Sequence, residues 1–491
     1  MIAFVLAGIL LAFLAGILAA FGQLLFLALL LGAIGGVVLI AKPRLAVWVV
    51  LIGGFVVTGL AELYLPQLQQ VRWGVALLSI ALIPLAIIIA GFKADIADEK
   101  KLDSSASSVL FWAIGIVFCA LLATIANSSA MSTGLVGLKN YFQMFGLLAT
   151  FAALRYTPKE ADRFMRFLLL LGLVQLPFVL HQFLVLVPLR STEEASADFI
   201  VAVDIVAGTF GGSLMGGGRS STLALLASIT ITLVFAQWRT GQKSLLKASL
   251  FSFIFMLPMA LNEAKLFIVM LPIALCLLFK DSILQNPFKS VMTGFVVVGF
   301  LASLLVVTSM LPGAKSQQSL TLDSFIESSL AYNIGNVGYG SDILNRTTVY
   351  PFWWTENISH GDYVKALFGH GLGATNSASA AATHTLANTR YNGYGIDLTA
   401  ISCLLWEIGI LGTVTVLAFF LQAYLLGGKL ANRWVNTQHW PFIKTAQISI
   451  TLVAISLLHN NYFVVDISFQ TIYLLLVGYL VAMSRNTLEK P

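Results

Sequence analysis

Residues 342–412 read DILNRTTVYPFWWTENISHGDYVKALFGHGLGATNSASAAATHTLANTRYNGYGIDLTAISCLLWEIGILG. This segment holds three of the six histidines (His360, His370, His384), two arginines (Arg346, Arg390) and a cluster of Tyr350, Trp353, Trp354 and Tyr363. Nearly everything on either side of it is apolar. A chain that is 10% charged has gathered polar, aromatic and glycine-rich sequence in one place, and that contrast sets both the fold and the search for chemistry.

Working outward, the 491 residues are 58% hydrophobic with a mean hydropathy of +0.90. A soluble chain of this size would leave too much of that apolar surface in water. Apolar runs of about 17–22 residues recur along the sequence, the length a helix needs to cross roughly 30 Å of hydrocarbon. A β-barrel would show short alternating segments instead. The expected fold is therefore all-α, a polytopic transmembrane helix bundle. About fourteen spans fall near 2–21, 24–41, 45–61, 73–92, 109–127, 140–154, 167–188, 221–238, 247–262, 265–280, 291–312, 399–428, 444–461 and 467–484. The close pairs (2–41, 247–280) are open to a re-entrant reading. The opening stretch lacks a basic flank and is too long for a signal peptide, so it reads as the first span. The division is 1–312, spans; 313–398, a large extracytoplasmic loop with short helices; and 399–491, the last three spans.

The net charge of +6 follows from topology, with no need of nucleic acid. Alternate loops carry 19 of the 28 Lys and Arg residues, among them Lys42, Arg44, Arg155, Arg239, Lys429 and Arg433. Short loops rich in Lys and Arg stay in the cytoplasm. Both termini are then cytoplasmic, and 313–398 and a shorter loop at 189–220 face the opposite side. The run TPKEADRFMR reads as a cytoplasmic amphipathic connector. Cys119, Cys276 and Cys403 sit singly in apolar runs and read as small core residues. There is no P-loop, no HExxH and no zinc spacing, so the expected chemistry needs neither metal nor cofactor.

Ionisable groups at the membrane boundary are costly and are functional candidates for that reason. Arg219 follows GTFGGSLMGGG and opens a span, an arrangement suited to an anion or to a snorkelling arginine. Lys265 in NEAK could bind a ligand or pair with Glu263. Lys139 reads as snorkelling. Arg346 precedes an aromatic helix and could fork onto phosphate or anchor at the interface. His384, Arg390 and Asp397 lie six and seven residues apart before a span; histidine could serve as a base, or the group could be solvated loop. Glu407 lies two turns into the next span, where pairing with a loop arginine is expected. His181 reads as an interhelical hydrogen-bonding residue, and HNNY at 459–462 could line a cavity.

An arginine, an aromatic helix, a GxGxG turn, a polar loop and a span carrying ExGxxG, in that order, resemble the O-antigen polymerase and O-antigen ligase superfamily of bacterial envelopes. The matching residues are Arg346, Trp353 and Trp354, Gly369 to Gly373, and Glu407 with Gly409 and Gly412. Arg219 and Lys265 occupy the places of an outer-face loop and a basic residue after a span. The family's His-Asn pair before ExG is missing, and Leu398–Thr399 stands there, which leaves His384 and Asp397 as rival bases. The resemblance implies a GT-C-like glycosyltransferase of the bacterial inner membrane, active on its periplasmic face. Its donor and acceptor would be undecaprenyl-diphosphate-linked oligosaccharides, and its partners a chain-length regulator and a flippase. It implies catalysis by His384, Asp397 and Glu407, diphosphate binding by Arg219, Lys265, Arg346 and Arg390, and glycan contacts from His370, Trp353, Trp354 and Tyr391. Polymerase of repeat units is the leading expectation. A ligase onto lipid A core or protein, and a lipid-linked oligosaccharide transporter, are the alternatives.

Overall fold

The computed structural model describes residues 41–93, 103–127, 131–193, 202–213, 217–262, 266–285, 343–377 and 384–486. Among these the chain is helical apart from one isolated bridge between Gly212 and Gly218. Seven helices are long and apolar enough to cross a membrane. We label them α1 (Pro43–Tyr64), α2 (Val71–Lys93), α3 (Ser104–Ala126), α6 (Pro158–Arg190), α7 (Ser220–Arg239), α14 (Gly409–Arg433) and α17 (Ile467–Ser484). Between them lie α4 (Met131–Phe142), α5 (Phe145–Ala153), α8 (Leu245–Ala260), α9 (Leu266–Leu278) and α10 (Lys280–Gln285). Also between them are α11 (Val349–Trp354), α12 (Tyr363–Phe368), α13 (Ala400–Glu407), α15 (Trp440–Ser456) and α16 (Tyr462–Val465). The expected spans at 2–21, 24–41 and 291–312 lie outside the described residues, as does Lys265.

Helices α7 and α17 are buried along almost their whole length and form the centre of the bundle. Neither carries a charged residue before its last turn, and several of their hydroxyls bond to carbonyls of their own helix, which suits a helix enclosed by others. Helices α2 and α3 turn large apolar residues outward, among them Leu77, Ile87, Phe111, Phe118 and Ile125, as a lipid-facing helix does.

Three expectations are corrected. TPKEADRFMR is no separate connector. Thr157 and Glu160 form a capping box, and Pro158 opens α6 itself, because a Ser/Thr-x-x-Glu start satisfies the orphan donors of a helix. The spans at 140–154 and 399–428 are each broken, at Gln143–Met144 and at Ile408. Cys276 is exposed, whereas Cys119 and Cys403 are buried.

Part of the 189–220 loop does not lie on the surface. Residues 202–213 enter the bundle and are held by glutamines of α6. Gln182 accepts from the amides of Ala207 and Gly208 and donates to the carbonyl of Gly208 at 2.7 Å. Gln175 does the same for Thr209, accepting from its amide and donating to its hydroxyl. Irregular backbone at membrane depth is tolerated only when its polar groups find partners inside the protein. The approach is close: a Cβ on Gly59 of α1 would lie 2.2 Å from the Thr209 carbonyl oxygen.

Candidate functional site

Two sequence motifs more than thirty residues apart form one joint. In GHGLG, Gly369, Gly371 and Gly373 all have positive φ, at 81°, 93° and 79°. The turn they make aims its amides at the end of α13. The His370 amide donates to the Trp406 carbonyl at 2.7 Å, and that of Gly371 to the Glu407 carbonyl at 3.0 Å. A Cβ on Gly369 would stand 2.3 Å from the Glu407 carbonyl oxygen. Gly409, also left-handed at φ 68°, meets Leu367 from the other side. Glycine is needed at both faces of the joint because side chains would collide there.

The joint fixes Glu407. Its Oε1 accepts from the Thr375 amide at 3.0 Å and the Thr375 hydroxyl at 2.6 Å. The Tyr141 hydroxyl of α4 and the Gly373 amide also act on this carboxylate. The expected arginine partner is absent, since Arg390 pairs with Glu356 at 2.8 Å instead. Asp397, on the preceding loop, accepts from Ser377 at 3.1 Å. Burial pushes its carboxyl above the ordinary range, and the Ser377 bond offsets this in part. Two contacts bring the 457–461 turn alongside: the amides of Ala400 and Ile401 donate to the carbonyls of Asn460 and Leu457.

Glu407, Asp397, Thr375, Asn376 and Cys403 line a cleft of about 420 Å³. Its lining also includes Glu62 at the end of α1, Arg72 and Trp73 at the start of α2, Lys139 and Asn140 of α4, and Arg219 at the head of α7. Arg219 is fully engaged: it pairs with Glu62 at 2.6 Å and Asp466 at 3.0 Å and donates to the Phe210 carbonyl at 2.9 Å. The inserted 202–213 loop thus sets the position of this arginine. Arg72 is held loosely, 3.4 Å from Glu62 and 3.4 Å from the Val465 carbonyl. Lys139 does not snorkel. It is 9% exposed, lies 5.0 Å over the Trp73 ring, and donates to Asn140 at 3.2 Å.

The other expected site residues are placed as follows. Arg346 donates to the His459 carbonyl at 2.7 Å and does not line the cleft. It lies near enough to Tyr462 for both it and Arg219 to act on that phenol electrostatically. His384 is exposed and outside the lining. His370 donates from Nε2 to Asn357 at 2.8 Å and packs against Trp406; burial lowers its pKa to about 4. His459 is lowered to about 4 as well, by burial first and then by Arg346. Trp353 and Tyr391 are core residues of a second cluster with Trp406 and Ile396, so their ring faces are covered by protein. Trp354 is exposed.

Sequence reading missed Glu62, Arg72 and Asp466, and misassigned Lys139. One signal was available: Glu62 and Arg72 are the only charged residues between 45 and 92. No protein-family model matches the chain, and no curated protein matches it.

Proposed function

We propose that this is a GT-C-like membrane glycosyltransferase of about fourteen spans. It polymerises undecaprenyl-diphosphate-linked oligosaccharide repeat units into a surface polysaccharide on the outer face of the bacterial inner membrane. The observation that carries the reading is the cleft itself, lined by the carboxyls of Asp397 and Glu407 and by the cations Arg72, Lys139 and Arg219. Glycosyl transfer from a lipid diphosphate needs both. The acceptor hydroxyl oxygen forms a bond to the anomeric carbon as the bond from that carbon to the phosphate oxygen breaks. The hydroxyl proton passes to a carboxylate, and the diphosphate leaves with the bonding electron pair. A positioned base contributes typically 10²–10⁴-fold, and each contact to developing charge about 10²–10³-fold.

Asp397 and Glu407 are the candidate bases, because both line the cleft and His384 does not. Asp397 stands in the loop with its pKa raised by burial, which brings a carboxyl closer to the working pH of a proton acceptor. The test is reconstitution of the full chain in liposomes with a lipid-diphosphate-linked repeat unit, followed by sizing of the products on gels. A ladder that disappears in Asp397→Asn or Glu407→Gln supports the proposal. Transfer of one preformed chain to lipid A core identifies a ligase, and donor translocation without new glycosidic bonds identifies a transporter. A full ladder from both variants overturns the assignment of the base.

A further inference from the structure

We infer that Lys139 and Arg72 form the contact site of the cleft for a diphosphate carried on an apolar chain, and that Arg219 is the scaffold holding that site open. The inference rests on the proposed donor class and names which cations meet it.

Pairing is the first argument. Arg72, Lys139 and Arg219 share the near acids Glu62 and Asp466, while Asp397 and Glu407 line the same cleft. The pairing is not spread evenly. Arg219 takes both carboxylates at 3.0 Å or less and gives a further donor to a backbone carbonyl. Arg72 reaches Glu62 only at 3.4 Å, too long for a strong charge-assisted bond. Lys139 makes no ion pair among the described residues, and the like charge of Arg72 acts on it more strongly than the opposite charge of Glu62. An ammonium nine-tenths buried next to a guanidinium is unfavourable until an anion lies between them. The uncharged donors beside them, Gln69, Gln70 and Asn140, suit phosphate oxygens.

The second argument is what adjoins the cations. The turn that supplies Gln69, Gln70 and Arg72 also carries Leu65 and Leu68, each 50% exposed, and Leu77 follows one face further along α2 at 57%. Trp73 bridges the two regions, with one ring face under Lys139 and the residue 38% exposed. A polar anion pocket thus opens beside an apolar strip on a lipid-facing helix. A diphosphate ester of a long hydrocarbon fits both parts, with its head on Lys139 and Arg72 and its chain along α2. Free pyrophosphate would use only the first.

The experiment measures binding to the full-length protein in nanodiscs, with farnesyl diphosphate and inorganic pyrophosphate as separate probes. We expect farnesyl diphosphate to bind at least tenfold more tightly than pyrophosphate. Lys139→Met and Arg72→Gln should each weaken it tenfold or more while leaving the melting temperature within a few degrees. Arg72 is partly exposed, so Arg72→Gln carries the test should Lys139→Met fail to fold. Equal affinity for the two probes keeps the anion site and overturns the apolar strip. Unchanged affinity in both variants, or no binding to the wild type, overturns the site. Binding by wild type without any new glycosidic bond sinks the proposed activity and leaves this site standing. A normal ladder from both variants at wild-type donor affinity does the reverse.

Discussion

The two ends of the bundle use charge in different ways. At the end where α1 begins and α7 and α14 finish, cations are matched to acids or laid on rings. Arg44 pairs with Glu160 at 2.8 Å, Lys429 and Arg433 both reach Asp103 at 2.7 Å, and Arg239 pairs with Asp281 at 3.2 Å. His439 holds Asp162 at 2.6 Å, and Tyr479 donates to the same carboxylate. Rings of Tyr156, Trp440 and Phe251 lie under Arg44, Arg239 and Lys243. At the other end, about 27 Å away along α1 by helical rise, Lys139 makes no ion pair among the described residues and Arg72 reaches Glu62 only at 3.4 Å. The first end tethers helices to one another, and the second keeps two cations weakly matched inside a cleft. A group left so at a cost to stability is a candidate for binding or catalysis.

The sharpest break of this contrast is at Arg219, the one cleft cation treated like those at the tethered end. Arg219→Met would strand Glu62 and Asp466 as buried charges, and about 3–5 kcal/mol of stability should go with it. Thermal unfolding of the purified protein reads this directly, and a melting temperature near wild type would dissolve the distinction between scaffold and contact cations. Next comes Gly369→Ala. Left-handed backbone and a Cβ 2.3 Å from the Glu407 carbonyl oxygen should cost about 2–3 kcal/mol. The same change should shift Glu407, so glycan formation should fall further than stability predicts.

Acid should act through the histidines of the cleft end. His370 and His459 have folded pKa values of about 4 against about 6.5 unfolded. Folding disfavours their charged forms, so their contribution is whole above pH 6.5 and is lost as pH falls toward 4. That amounts to about 2 kcal/mol for each by pH 5. Denaturant midpoints between pH 7 and 5 should fall, and less steeply in His370→Gln; identical slopes would place the acid sensitivity elsewhere. Asp103, held well below the usual carboxylate range by Lys429 first and the Ser105 amide next, behaves oppositely. Its stabilisation is complete above its unfolded pKa and is lost only as pH falls below that. Lys429 is half-exposed and solvent screens the pair, so Asp103→Asn should cost about 1 kcal/mol and leave product ladders intact. The smallest change belongs to His384→Ala, expected to alter glycan formation less than twofold. A larger loss would bring the 378–384 segment back into the site.

Helix positions were readable because a membrane imposes them. The expected span at 467–484 coincides with Ile467–Ser484, and 221–238 with Ser220–Arg239. The presence of a membrane-buried acid was readable where it stood out against apolar neighbours, as with Glu407. Chemistry was misread where the partner came from a distant segment. Glu407 was expected to meet an arginine and meets Thr375, while Arg390 goes to Glu356. Trp353 and Tyr391, expected among the glycan contacts, lie in one core cluster with Trp406. Aromatic residues serve cores and ligands equally well, and composition does not tell the two uses apart.

The sequence by itself determined that this chain is a bundle of apolar helices, because hydrocarbon leaves the backbone no other bonding pattern and side chains no other composition. It also marked GHGLG as a glycine turn and Glu407 in WEIGILG as an acid inside a span. Only the tertiary structure decided that these two motifs are one joint, that Arg219 is spent on Glu62 and Asp466, that Arg72 reaches Glu62 only at 3.4 Å, and that Lys139 pairs with neither. The reason is physical: a charged residue's role depends on which opposite charge reaches it first, and that is settled by packing across hundreds of residues.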